Sequence, residues 1–386
     1  MTGDVAVPAE ERRARAVWSG LVEPGDQVAG ALVRLLGAAR ALDWMSGAAR
    51  GAPDWSALPG VPGPDRLRLV GAAHRWAARA EGGPGGSLEQ DLARVGGTLV
   101  VPGDPAWPAG LDDLGDAAPF ALWCRGTPPA AGSVAVVGSR ASTGYGERVA
   151  FDLAEGLASR GVGVVSGGAY GIDAAAHRGA IAPGGPTFVV LAGGVDRAYP
   201  AGNARLFEEA LATGGGVLAE LPPGALPTKS RFLQRNRLIA AVTGATVVVE
   251  AAWRSGALST ARRAADLLRP VGAVPGPVTS MASAGCHRLL REGFAVCVTD
   301  VAEVVELLPG GTGTDPVAEG GPADERMLDP LAIRVHDALS LRAGAETDVV
   351  ATRAGVSLDA VRSALGLLEL AGLAERRSDG WRAVRP

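Results

Sequence analysis

The chain has 386 residues, 47% of them hydrophobic and 20% charged, a composition typical of a globular protein with two or three domains. A formal net charge of −4 excludes a generally polycationic nucleic-acid binder, so any polyanion site has to be a local patch with strongly salt-dependent binding. Three cysteines without CxxC spacing argue against a disulfide framework and fit a reducing cytosol. The polar start argues against a signal peptide, and the lack of any run of eighteen apolar residues argues against a membrane span.

Residues 1–96 are predicted to form a small helical module. A turn at residues 20–26 ends in a helix cap, and apolar residues at helical spacing follow it, namely Val28, Leu32, Leu35 and Leu36. A Gly/Pro-rich break over residues 51–64 precedes a second helix over 64–81, which leads to a glycine-rich joint at 82–86. Such modules can bind DNA or partner proteins, although packing on a neighbouring domain is favoured here.

Between residues 97 and 309, short β-branched runs alternate with Ala/Leu-rich helices. The predicted strands are residues 134–137, 162–165, 187–191, 217–218, 246–250 and 271–274. Glycine loops follow the first three strands, and helices are predicted over 146–160 and 172–181. Repeated strand–loop–helix units predict an α/β fold on a doubly wound, Rossmann-like parallel sheet. Such sheets bind ligands at the carboxyl ends of their strands, where these glycine loops lie.

The C-terminal part has a linker and a third predicted domain. Residues 310–325 are rich in glycine and proline and predict the linker, and residues 326–386 predict a winged helix-turn-helix domain. Its helices are predicted over residues 330–342, 347–354 and 357–371, and its hairpin wing over 373–383. Acidic residues offset the arginines of this domain, so contact with duplex DNA and contact with a protein both stay open.

Residues 229–237 hold four positive charges, an aromatic ring and an amide, and no acidic residue. The lysine of this segment is the only one in a chain with 36 arginines. Cations bind phosphates, rings stack on bases and amides contact base edges or sugars, so the segment suits a nucleic-acid strand. Its candidate binding residues are Lys229, Phe232, Arg235, Asn236 and Arg237. The alternative is a solvated basic turn before a strand.

Three small-residue loops at predicted strand ends could together hold an anion, namely residues 138–140, 166–173 and 255–261. In the first loop, Gly138, Ser139 and Arg140 offer backbone N–H groups and a guanidinium to a phosphate. The second loop contains two adjacent glycines, Gly167 and Gly168. Neither a GxGxxG fingerprint nor a GxxxxGK phosphate loop is present.

Catalytic and metal-binding patterns are missing from the sequence. Histidines and cysteines lack metal spacing, and no Ser/His/Asp set or carboxylate pair stands out, so no catalytic residue, metal or cofactor is predicted. Glu220 and Glu250 stand at strand ends, where capping or an arginine partner explains them equally well. His177 could pair with Asp173 one helical turn earlier, but a capping aspartate and a separately satisfied histidine are favoured.

Seven motifs in order resemble those of the bacterial DNA-processing protein A family (DprA, also called Smf) across residues 97–308. They are residues 136–140, 165–177, 199–203, 220–224, 232–240, 248–251 and 273–276. Residues 22–26 resemble the family's N-terminal module, of the sterile-α-motif or helix-hairpin kind, and a C-terminal winged helix is common in the family. Two departures are Gln234, where the family usually has proline, and His287, where it usually has asparagine.

The resemblance implies a non-catalytic cytosolic protein that binds and protects single-stranded DNA, forms homodimers through its sheet domain, and loads a RecA-type recombinase in natural transformation. It implies that Arg140 binds a phosphate and that Lys229 is the basic residue of the DNA pocket. It also implies that Phe232 stacks on a base with Asn236 as a nearby polar contact. The glycines of the second loop would let the strand approach the backbone.

An enzyme and a protein–protein adaptor are the alternatives. The sheet domain also resembles the lysine-decarboxylase-like phosphoribohydrolases, which bind and hydrolyse nucleotides through a PGGxGT motif followed by a catalytic glutamate. Residues 309–314 imitate that motif, but Pro316 obstructs the helix that should follow. At the position where the motif should stand, residues 255–261 are followed by two arginines and no acid.

Overall fold

The structure is a computed structural model that describes residues 7–81, 88–311, 330–341, 343–370, 372–377 and 380–384. The chain divides into two compact units, residues 1–313 and 314–386. The predicted joint at 82–86 and residues 312–325 of the predicted linker lie outside the described residues. No helix in the described ranges has both the length and the apolar character needed to cross a membrane.

The first unit begins with a group of helices that pack around tryptophans. These are α1 (Ala9–Leu21), α2 (Gln27–Leu36), α3 (Ala38–Ala49), α4 (Gly63–Glu81) and α5 (Leu88–Val95). The predicted cap of α2 is confirmed, because the Asp26 carboxylate accepts hydrogen bonds from the Val28 and Ala29 N–H groups at 3.0 and 3.1 Å. Trp18 is fully buried and packs edge-on against Trp76, with ring centroids 5.2 Å apart.

The sheet that follows has nine strands in the order β1-β2-β6-β5-β4-β3-β7-β8-β9. The strands are β1 (Thr98–Val100), β2 (Leu122–Gly126), β3 (Val134–Val137), β4 (Val164–Ser166), β5 (Thr187–Leu191), β6 (Gly216–Ala219), β7 (Ala245–Val248), β8 (Val271–Ala273) and β9 (Val296–Cys297). Strands β3 to β9 pair in parallel, which confirms the predicted sheet. At one edge β1 and β2 run antiparallel, an addition that the sequence did not predict.

Helices cover both faces of this sheet. They are α6 (Gly144–Ser159), α7 (Ile172–Ile181), α8 (Ala204–Ala212), α9 (Lys229–Ala241), α10 (Ala257–Asp266), α11 (Ala284–Arg291) and α12 (Val301–Glu306), with short 3₁₀ turns at Trp55–Ala57, Ala109–Ala117 and Ala201–Asn203. One apolar core lies under α9 and α10, and another lies under α6 and α7.

The strand order reverses between β3 and β7. From β3 the chain proceeds outward through β4, β5 and β6, and then returns to the other side of β3 as β7. The loops that leave these two strands therefore diverge and open a crevice between them. In doubly wound sheets such a crevice is where ligands bind.

The second unit has three helices and a hairpin, namely α13 (Pro330–Asp337), α14 (Thr347–Ala354), α15 (Leu358–Leu370), β10 (Ala374–Arg377) and β11 (Gly380–Ala383). The two strands pair antiparallel. Helix α14 ends at Gly355, whose left-handed φ of 64° makes the tight turn to the next helix. Helix α13 stops at Asp337, well before the predicted residue 342, because single i→i+3 bonds close its end at Ala338 and Leu339. Its assignment as a winged helix stays a prediction.

His177 of α7 is buried beneath the sheet and is hydrogen-bonded through one ring nitrogen, without Asp173, while its buried Nε2 has no partner among the described residues. Its Nδ1 lies 2.7 Å from Thr187 Oγ1, and this hydroxyl donates its only proton to the Val164 carbonyl at 2.9 Å. The imidazole must therefore carry a proton on Nδ1 and donate it to Thr187. The Asp173 carboxylate instead accepts from the Ala169 N–H at 3.3 Å, so the two side chains do not pair. The favoured interpretation is correct on that point only, because Asp173 binds the loop before α7, whose N-cap is Gly171, and one nitrogen of the histidine has no partner in the described part of the chain.

Acid should destabilise the fold through this histidine. Burial lowers the pKa of His177 from 6.5 to about 3, so the folded state keeps it neutral while the unfolded chain takes up a proton below pH 6.5. Stability is thus lost as pH falls from 6.5 towards 3, by about 2 kcal/mol at pH 5. Urea denaturation at pH 7 and pH 5 measures this loss, and a His177→Gln variant should lose less. Equal losses in the two proteins would contradict the assignment.

Candidate nucleic-acid interface

A pocket of about 720 Å³ opens at the carboxyl ends of β3 and β7, in the crevice where the strand order reverses. The loop after β3, the first turns of α9 and the loop before α10 line it. Seven of the ten residues predicted from the sequence lie in this lining, namely Gly138, Ser139, Arg140, Lys229, Phe232, Arg235 and Asn236. The pocket therefore brings together two segments that are nearly 90 residues apart in sequence.

The basic segment at residues 229–237 forms the start of helix α9 and is not a turn. Thr228 caps the helix by accepting a hydrogen bond from the Arg231 N–H at 3.3 Å. Helical spacing then places Lys229, Phe232 and Asn236 on one face, which is the face that lines the pocket. Lys229 is exposed and Phe232 is half-buried. The Asn236 amide is buried and donates to the Gly256 carbonyl at 3.3 Å, so it also holds the loop before α10.

The Phe232 ring stands at the centre of a cation and aromatic cluster. The guanidinium carbon of Arg140 lies 4.6 Å from the ring centroid, and that of Arg235 lies 5.9 Å away. The Tyr199 ring is 5.4 Å away and tilted by 51°. Arg140 is exposed, so its guanidinium presents a planar surface on which a planar ligand can stack above the Phe232 ring.

Arg235 supplies a buried positive charge behind this cluster. Its Nη1 donates to the Val190 carbonyl at 2.7 Å. Burial lowers the pKa of Arg235 to about 10, with nearby Asp173 opposing the shift, so the side chain stays charged at neutral pH. Among the described residues that line the pocket, Asp173 is the only acidic one, and burial raises its pKa. The pocket is therefore a local positive site on an acidic protein.

Gly167 and Gly168 lie behind the pocket and do not line it, which corrects the reason expected for them. Both are buried. A Cβ on Gly167 would stand 1.8 Å from Nη1 of Arg235, so this glycine makes room for the buried guanidinium. Gly168 has φ of +67°, and a Cβ there would stand 2.6 Å from the Phe207 ring. In this structure the two glycines serve internal packing, not the approach of a strand.

Arg237 also lies outside the pocket, on the opposite side of α9. Its Nη2 forms a buried ion pair with Glu220 Oε1 at 2.5 Å. On the same side, Arg231 donates two hydrogen bonds of 2.9 Å to Glu23 of the N-terminal helices. The side-chain hydrogen bond from Arg231 holds the pKa of Glu23 below its usual value. Expecting Arg237 in the pocket was therefore wrong, because a helix directs successive cations to different sides.

The two strand-end glutamates have structural partners, as expected. Glu220 pairs with the arginine just described, and Glu250 accepts from the Thr143 N–H at 2.9 Å and from its hydroxyl at 2.6 Å. Neither carboxylate is among the residues that line the pocket.

The lining also contains a ring and a cation that were not predicted as site residues, Tyr199 and Arg254. Tyr199 is 47% exposed and had drawn attention only as part of a motif. Arg254 is exposed, lies in the loop between β7 and α10, and adds a further cation to the pocket. In a chain with 36 arginines, a single arginine in a loop carries no signal of its own. Only the topology, which brings this loop beside β3, distinguishes it.

The chain is similar to known proteins both in sequence and in fold. Residues 98–309 match the family model of DNA recombination-mediator protein A. A Mycobacterium tuberculosis protein that carries the name DprA is 43% identical over 389 residues, covering 97% of this chain and 94% of that protein. Protein Smf of Escherichia coli is 39% identical over 259 residues, covering 66% and 69%. The X-ray structure of DprA from Streptococcus pneumoniae has a TM-score of 0.58 at 29% identity, covering 78% of this chain and 99% of that chain.

The two sides of α9 should respond differently to substitution. Arg237→Ala leaves the Glu220 carboxylate buried without its partner and should lower the free energy of unfolding by about 3–5 kcal/mol. Lys229→Ala removes an exposed cation and should change it by no more than about 0.5 kcal/mol. Urea denaturation of both variants measures the difference. A small effect of both substitutions would mean that Arg237 is exposed to solvent, which would contradict its placement in a buried ion pair.

Proposed function

The chain belongs to the DNA recombination-mediator protein A family, and on this premise we propose that it is a non-catalytic, cytosolic protein that binds single-stranded DNA in the pocket between β3 and β7. The observation that carries the proposal is the Phe232 ring with a guanidinium at 4.6 Å, beside an exposed lysine, inside a positive crevice. Rings, guanidinium groups and cations are the groups that hold unpaired bases and their phosphates.

Phosphates would bind mainly to side chains. The Ser139 N–H already donates to the Glu250 carbonyl at 2.8 Å, so this backbone group of the loop after β3 is occupied. The Ser139 hydroxyl is also used, since it donates to the Ala141 carbonyl at 3.0 Å. The exposed cations Arg140, Lys229 and Arg254 remain as phosphate partners, and their spread around the opening suits a strand that passes across it.

Bases would be held by stacking, with little dependence on sequence. The Phe232 ring and the Arg140 guanidinium both present planar surfaces, and Tyr199 closes one side of them. Stacking of a base on such a ring contributes about 1–3 kcal/mol whatever the base. The pocket is therefore suited to unpaired strands of any sequence, whereas a duplex keeps its bases stacked inside.

The nucleotide-hydrolysing alternative lacks an accessible carboxylate among the described residues that line this pocket. Hydrolysis of a glycosidic or phosphoester bond needs a general acid or base within reach of the ligand. The carboxyl of Asp173 is the only one in the described lining, and it is 7% exposed and accepts the Ala169 N–H. A nucleotide could bind here, but the lining favours binding without turnover.

Affinity and its salt dependence should distinguish the contribution of stacking on Phe232 from that of the charged side chains. Phe232→Ala should weaken binding of labelled oligo(dT) by about 1–3 kcal/mol with little change in the salt dependence. Lys229→Ala or Arg140→Ala should each reduce the slope of log K against log salt by about 0.7. Because Arg140 contacts the ring, the double variant Arg140→Ala/Phe232→Ala should lose less than the sum of the single losses. Fluorescence anisotropy across a salt series, with single-stranded and duplex DNA, measures these effects.

The control is Arg160→Ala, which removes an exposed charge at the far end of α6, away from the pocket. It should bind as the wild type does. If the pocket variants also bind as the wild type does, the assigned site is wrong. If the wild type shows no preference for single strands and hydrolyses nucleotides, the alternative function replaces this one.

We propose further that the protein forms homodimers through its sheet domain, protects incoming single strands and loads a RecA-type recombinase onto them during natural transformation. Family membership supports this role, since the matching family model is that of a recombination mediator. Light scattering should give the mass of two chains. The wild type should shorten the lag of recombinase filament assembly on strands covered by single-strand binding protein, and Lys229→Ala/Phe232→Ala should not. If the wild type does not shorten the lag of filament assembly, the proposed mediator role is wrong, whereas the proposed binding of single-stranded DNA is unaffected.

A further inference from the structure

Trp253 is exposed where the other tryptophans are not. It lies in the loop between β7 and α10, and half of its side chain (50%) is open to solvent. The seven remaining tryptophans are buried or half-buried. An indole carries more apolar surface than almost any other side chain, so leaving it in water forgoes a large stabilisation. A tryptophan in this position calls for a partner that covers it.

A neighbouring arginine holds the indole in place. The guanidinium carbon of Arg288, on α11, lies 5.3 Å from the centroid of the Trp253 ring. Arg288 is in turn oriented by Glu292, whose Oε1 accepts a hydrogen bond from Nε at 2.8 Å. The ring therefore makes a cation–π contact at the surface and keeps exposed area for a further planar group.

Trp253 is next in sequence to two residues that line the pocket. The residues on either side of it, Ala252 and Arg254, both line the pocket, whereas Trp253 does not. Neighbouring residues are about 3.8 Å apart along the backbone, so the backbone of Trp253 stands at the edge of the lining. The exposed indole is therefore carried by a residue next to Arg254, one of the cations at the pocket opening.

We propose that Trp253, Arg254 and Arg288 form a second nucleotide subsite that extends the pocket along the single strand. This inference rests on the proposed binding of single-stranded DNA. The base that follows those in the pocket stacks on the indole and the Arg288 guanidinium, and its phosphate binds Arg254, a cation that the subsite shares with the pocket. Because Glu292 partly neutralises Arg288, the subsite acts mainly through stacking and depends less on salt than the pocket does.

The test is the dependence of affinity on strand length, measured with the full chain and oligo(dT) of about 4 to about 16 nucleotides, the range of site sizes of single-strand binders. Trp253→Ala should bind the shortest strands as the wild type does and lose about fivefold or more on longer ones. Trp253→Phe should keep most of the affinity, because a smaller ring still stacks. Long strands should also quench the fluorescence of the wild type more than that of Trp253→Phe.

Failure of the subsite and failure of the proposed function give different results. If Trp253→Ala matches the wild type at every length while Phe232→Ala loses affinity, the subsite is overturned and the pocket stands. An equal loss by Trp253→Ala at every length also overturns it, since the ring would then act on the pocket itself. If the wild type binds no strand of any length, the proposed function fails and the subsite with it.

Discussion

The buried arginines of α9 fix the helix that carries the pocket. Arg235 reaches the carbonyl of Val190 at the end of β5, and Arg237 pairs with Glu220 just after β6. Burying these charges is costly unless each is paired or hydrogen-bonded, so their partners hold the helix at one rotation about its axis. At that rotation Lys229 and Phe232 face the crevice between β3 and β7.

This arrangement explains how an acidic protein can hold a polyanion. The chain has a net charge of −4, but the pocket gathers the exposed cations Arg140, Lys229 and Arg254 around one opening. The positive potential is confined to that opening, since charges farther apart than about 8–10 Å are screened at physiological salt. Affinity then comes from a few phosphate contacts and from the rings, and the rest of the surface contributes little attraction for DNA.

Much of the fold could be predicted because β3, β5 and β7 are buried runs of β-branched residues, each followed by a small-residue loop. Strands β1, β2 and β9 were missed. Strands β1 and β9 have only three and two residues, too few for a pattern, and β2 contains no β-branched residue. The site was harder. Residues 229–237 have charges on every side of the helix and no apolar stripe, so the sequence did not indicate a helix there. For the same reason it did not indicate which of the cations are buried. Gly167 was misinterpreted for a related reason, since only the structure places a guanidinium against it.

The N-terminal helices take part in the same constraint. Glu23, in the turn before α2, binds Arg231 of α9 and also Arg79 of α4, so one carboxylate ties this turn and α4 to the pocket helix. Gly25 lies against the side chain of Arg237, where a Cβ would stand 3.2 Å from Nε. A chain cut at residue 96 would lose these contacts on the side of α9 that faces away from the ligand. The change in sequence composition near residue 96 therefore does not mark a structural boundary, because the helices before it support the pocket helix. Residues 1–313 form one compact unit.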